Sequence, residues 1–138
     1  MKLLLRILFL LLLVISFSCE EQGIGLNCSD CLETEPVEAE LEIKLDRNNY
    51  AQTVVRIYEG NLEDSVLIGT FNQSSAKLYH EVSINKKYTV TATYLISDVT
   101  YVAVDSATPR VKYVKDQCDD PCYFVYDKIL NLRLRYTK

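Results

Sequence analysis

Five cysteines carry most of the chemistry this chain could do. Four of them stand in two close pairs, Cys28-x2-Cys31 and Cys118-x3-Cys122. In an oxidising compartment an even set of cysteines pairs into disulfides. In a reducing one, four thiolates can hold zinc tetrahedrally, and the second spacing lies within the usual ligand range. A Cys-x2-Cys pair is also a redox motif, but such motifs sit at a helix N-terminus after a strand. The flank of Cys28 and Cys31 is acidic and irregular instead.

The N-terminus favours disulfides. Of the first 18 residues, 14 are hydrophobic, with positive charge from Lys2 and Arg6. That is the layout of a secretory signal peptide. Its apolar run Ile7–Ile15 is short for a bilayer core, which needs about 20 residues. Residues 1–18 are therefore expected to be a signal peptide, and the rest to be exported. Four cysteines allow three connectivities. Cross-pairing of the two groups would close loops of about 90 residues, which stabilises more on the chain-entropy account than local 28–31 and 118–122 loops.

Other candidates are weaker. His80 is the only histidine. It lies in phase with Leu78 and Val82 and reads as a strand residue. Ser74, Ser75 and Ser83 are near it in sequence, but no nucleophile motif accompanies them. Asp116, Asp119 and Asp120 offer hard oxygen ligands of the kind calcium takes. Their spacing does not match an EF-hand loop, and a solvated turn explains them. No resident metal or cofactor is expected. Glu38, Glu40 and Glu42 alternate along a strand and read as a wet face rather than a paired-carboxylate hydrolase site. There are ten tyrosines and no tryptophan. Tyr94, Tyr101, Tyr113, Tyr123 and Tyr126 are candidates for a ligand surface, because tyrosine joins an apolar body to a polar tip.

These residues need elements to position them. Val37, Ala39, Leu41, Ile43 and Leu45 alternate with Glu38, Glu40, Glu42, Lys44 and Asp46, the period of a half-buried strand. Arg47-Asn48-Asn49 then reads as a turn. Further strands are predicted over Thr53–Glu59, Ser65–Phe71, Ala76–Ile84, Tyr88–Ile96, Val99–Val104, Arg110–Lys115, Cys122–Tyr126 and Leu130–Tyr136. Asp105–Pro109 reads as a break. No window of helical period competes. The fold class expected is all-β, an immunoglobulin-like or transthyretin-like antiparallel β-sandwich of about seven to eight strands. The domain spans 37–138, and 19–36 reads as a flexible tether. Without residues 1–18, 13 basic residues face 19 acidic ones, a net charge of −6. That argues against a nucleic-acid partner.

Two resemblances add to this reading. Ser16-Phe17-Ser18-Cys19 resembles the lipobox of bacterial lipoproteins, with Ser where Leu, Gly or Ala is commoner. The resemblance implies that the peptide is cut before Cys19 and that Cys19 is acylated. Glu20 and Glu21 are similar to the acidic export tag of some Bacteroidota lipoproteins. The address implied is the bacterial outer membrane, facing the periplasm or the exterior. Second, Val54-Val55-Arg56-Ile57-Tyr58-Glu59-Gly60, Leu67-Ile68-Gly69-Thr70 and Asn85-Lys86-Lys87-Tyr88-Thr89-Val90-Thr91-Ala92 are similar to transthyretin-like and carboxypeptidase-regulatory-like β-sandwiches. That resemblance covers roughly residues 37–104 and implies a fold without catalytic residues. The function expected is a noncatalytic envelope lipoprotein, tethered to the membrane and binding or scaffolding a protein or glycan. A glycan- or nutrient-binding accessory lipoprotein and a fimbria-like assembly protein are the alternatives.

Overall fold

The computed structural model describes residues 26–46 and 53–135. The signal peptide, Cys19, the Arg47-Asn48-Asn49 turn and Tyr136 lie outside them. The described chain is all-β, with nine strands: β1 (Glu38–Lys44), β2 (Thr53–Glu59), β3 (Val66–Gln73), β4 (Lys77–Ser83), β5 (Tyr88–Ile96), β6 (Val99–Ala107), β7 (Arg110–Val114), β8 (Cys122–Tyr126) and β9 (Ile129–Asn131).

They form three sheets. One has the order β4-β1-β9, the second β3-β2-β5-β6, and β7 and β8 form a separate two-stranded ribbon. All pairs are antiparallel except β1–β9, which is parallel. The first two sheets make the sandwich. Alternate residues of each strand point inward, and the charged alternates of β1 stay outside. Leu41 and Ile43 of β1, Leu78 and Val82 of β4, and Leu130 and Leu132 meet Val55 and Ile57 of β2 and Val90, Ala92 and Tyr94 of β5 in one buried cluster.

Two strand limits differ from expectation. β6 continues through the predicted break to Ala107, because Asp105, Ser106 and Ala107 pair with Val90, Thr89 and Tyr88. The ladder to a central strand outweighs the local preference of Asp and Ser for a turn. The break falls instead at Thr108 and the buried Pro109, whose missing N–H suits the gap between β6 and β7. The final strand is only Ile129–Asn131, joined to β1 in parallel.

β5 does not alternate in burial over its first five residues. It lies between β2 and β6, and Thr89 and Thr91 on its outer side are covered by those neighbours. Thr89 Oγ1 also donates to the Gly60 carbonyl at 2.7 Å. On β3, Gly69 leaves room for the Phe71 ring to lie across the backbone. A Cβ there would meet that ring at 2.6 Å.

Candidate functional site

The cysteines cross-pair. Cys28 is bridged to Cys118 and Cys31 to Cys122, with Cα–Cα distances of 5.7 and 5.5 Å. Cys28–Asp30 forms a short 3-10 turn opened by Asn27, whose side chain accepts from the Ser29 N–H at 3.3 Å. That turn faces both cysteines toward the loop between β7 and β8. Immediately after it, Leu32 pairs with Tyr123: each N–H donates to the other's carbonyl, at 2.9 and 2.8 Å. The segment expected to be free tether is thus fastened to the outer edge of β8 from Cys28 to Leu32. The two cysteine pairs carried the signal for this in the sequence, whereas the Leu32–Tyr123 bridge had none.

The sulfurs of Cys31, Cys118 and Cys122 lie within 4.8 Å of one another, and no other three potential metal-ligand side chains converge so closely among the described residues. As bridged sulfurs they are not the thiolates a zinc site needs. Asp116, Asp119 and Asp120 are exposed on the β7–β8 loop and are not among the converging groups. Their carboxylates read as a solvated turn.

The five candidate tyrosines divide. Tyr94 is 0% exposed and cannot touch a ligand. Its hydroxyl donates to the Leu132 carbonyl at 2.7 Å and accepts from the Asp46 N–H at 3.2 Å, so it ties β5 to the ends of β1 and β9 in the facing sheet. Tyr101 is its register partner on β6 and packs against the same core. Tyr94 is thereby corrected from ligand surface to structural residue, while Tyr101 is partly buried. They share the inward face of β5 and β6, and alternation alone does not say which face is inward.

Tyr113, Tyr123 and Tyr126 do reach the surface, all on the ribbon. Tyr113 and Tyr123 are directly opposed across β7 and β8. Their ring centroids are 5.0 Å apart and tilted by 47°, within the range for favourable aromatic pairs. Tyr113 is 47% exposed. Tyr126 faces Arg110, and Phe124 faces Lys112, with both cations exposed. The ribbon therefore joins aromatic rings to positive charge on a chain that is acidic as a whole. Its base is held by Asp127, whose carboxylate accepts from the Thr108 N–H at 2.9 Å, and by the Asn85 N–H donating to the Pro109 carbonyl at 2.7 Å.

Elsewhere the side chains look structural. His80 is half-buried on β4, with its ring 5.2 Å from that of Phe71. Ser75, one of the serines near it in sequence, donates instead to the Lys77 carbonyl at 2.6 Å. Glu42 and Lys77 form an ion pair at 2.6 Å across β1 and β4. Their mutual hydrogen bond lowers the Glu42 carboxyl below its usual range and raises the Lys77 ammonium. Glu59 does the same to Lys86 across 3.0 Å. Burial raises the Tyr88 hydroxyl, which donates to the Ser83 carbonyl at 3.1 Å.

No protein-family model, curated protein or solved structure matches the chain. What stands from the resemblances is therefore the generic part: an all-β, sandwich-type domain. It carries two disulfides and no evident catalytic cluster among the described residues.

Proposed function

We propose that this is a noncatalytic, membrane-tethered lipoprotein of the bacterial envelope whose β7–β8 ribbon binds a protein or glycan. The observation that carries the binding half is the opposed Tyr113–Tyr123 pair at the surface of a ribbon stapled twice. A ribbon already fixed by two bridges loses little conformational freedom when a partner docks, so more of the contact energy appears as affinity. Tyrosine supplies broad contact area with few rotors to freeze. The envelope half is supported by the signal-like segment and by Ser16-Phe17-Ser18-Cys19. Acyl chains on Cys19 would hold the chain at a membrane more firmly than a single chain could.

Two measurements test the halves separately. Palmitate labelling and fractionation of the full chain expressed in a bacterial host should show a labelled membrane protein, and Cys19→Ala should be unlabelled and soluble. An unlabelled wild type would overturn the anchor. Binding of the full chain to a panel of soluble oligosaccharides and purified envelope proteins should be lost in Tyr113→Ala/Tyr123→Ala. Undiminished binding by that variant would overturn the ribbon as the site.

A further inference from the structure

Unpaired strand edges invite pairing with another chain, and proteins guard them with charge, bulges or cover. Most rims here are guarded. β4 exposes Lys77 and Glu81, and β7 exposes Arg110 and Lys112. The outer edge of β8 is paired by Leu32. β6, the opposite edge of the same sheet, exposes Val99, Val102 and Val104. It is tied to β9 toward its C-terminal end, where the Asp105 carboxylate accepts from the Asn131 N–H at 2.8 Å. β3 differs. It ends its sheet, and no described strand lies on its outer side. Its eight residues, Val-Leu-Ile-Gly-Thr-Phe-Asn-Gln, include neither a charge nor a proline. Val66, Leu67 and Ile68 stand 51, 49 and 41% exposed in succession.

We propose that β3 is a homotypic docking edge, to which β3 of a second copy of this chain adds antiparallel about a two-fold axis. The two four-stranded sheets would then run as one sheet of eight.

Three observations favour a second copy over an unrelated peptide. Peptides that add to a sheet edge gain specificity from pockets that take alternate side chains. β3 instead exposes the side chains of Val66, Leu67, Ile68, Thr70 and Asn72, all uncharged. An uncharged strand can face itself without the like-charge contacts that penalise directly opposed charges. Self-pairing also needs only one suitable surface, which is why two-fold dimers are the commonest assemblies. β6 is a poorer partner for β3, because the Asp105 contact to Asn131 occupies part of its length.

The one guard on β3 limits the strength of the contact. The ladder to β2 shifts register between Ile57 and Tyr58, leaving Ile68 as an extra residue. Such bulges bend the strand that carries them. In the antiparallel pair, the apolar Val66–Ile68 end of each copy crosses the regular Thr70–Gln73 end of the other. A single seam of this kind is smaller than the roughly 1,200–2,000 Å² of a stable interface, so the dimer is transient.

The test places a photo-crosslinking residue at Thr70 or at Asn72, both exposed on β3, in the full chain expressed in bacterial cells. A control carries it at Val102 on β6. The expected result is a dimer cross-linked at the β3 positions, with mass spectrometry joining one β3 peptide to another. Ile68→Lys and Thr70→Lys, assayed with the probe at Asn72, should each reduce it at least tenfold while the non-reducing gel mobility of the bridged monomer is unchanged. Cross-links from β3 to a β6 peptide, to other proteins, or none at all would each overturn the proposal. None of these outcomes depends on ligand binding by the ribbon or on acylation.

Discussion

Tyr94 and Tyr88 show how much depends on where one hydroxyl ends. Tyr94→Phe keeps the ring in the core and removes the donor to Leu132 and the acceptor for Asp46. Losing a buried partner costs about 1–3 kcal/mol, so the urea midpoint should fall by that equivalent with the slope unchanged; an unaltered midpoint would show that water replaces the hydroxyl. Tyr88 tests the alkaline side. Its folded-state hydroxyl is raised by burial above the unfolded value of about 10. The stability linked to it is fully present below that unfolded value and disappears as pH rises through the folded one. Tyr88→Phe should therefore flatten the loss of stability above pH ~10, at the expense of the bond to Ser83 at lower pH. If the two alkaline curves are parallel, Tyr88 does not carry that linkage. The sequence located these tyrosines on strands but not in the core. A period of two states which residues share a face. Which face turns inward depends on what the other sheet brings, and for Tyr94 that is Leu132, 38 residues away.

Among the elements, those with the strongest alternation were the most legible. β2, β5 and β8 have the limits that the apolar and β-branched pattern predicts. The parallel β1–β9 pair and the Leu32–Tyr123 bridge were not legible, because each joins segments more than 80 residues apart and neither has a local signature. The cysteine cross-pairing was favoured on loop entropy, and its energetics are not additive. The two bridges span 90 and 91 residues. Either one alone closes the long loop, which the chain-entropy account rates at about 4.6 kcal/mol. With one in place, the other closes only the small ring through Cys28–Cys31 and Cys118–Cys122, rated at about 2.5 kcal/mol. Cys28→Ser/Cys118→Ser should thus destabilise by roughly the smaller figure, and replacement of all four cysteines by roughly the sum, about 7 kcal/mol. Two equal steps in chemical denaturation would mean that the bridges act independently.

At the scale of the whole molecule, the bridges decide how a load on the N-terminus reaches the fold. A pull from Cys19 arrives first at Cys28 and passes through sulfur to the β7–β8 loop. It bypasses β1, whose first residue lies ten positions later at Glu38. Everything between Cys28 and Cys118 is then inside a covalent loop and cannot lengthen, however the strands separate. With the bridges reduced, the same pull peels β1 from β4 and β9, and the sandwich opens from its central strand. Stretching the full chain between Cys19 and Lys138 in optical tweezers should make this visible. At about 3.3–3.6 Å per residue, the 90-residue loop hides roughly 300 Å of contour. Under oxidising conditions unfolding should release only the segments outside the loop, and after addition of a dithiol reductant the missing length should appear. Equal extensions in the two conditions would mean that the bridges do not carry the load. The β7–β8 ribbon would then have to be held in shape by the hydrogen bonds of Asp127, Asn85 and Leu32, which open far more readily than a disulfide.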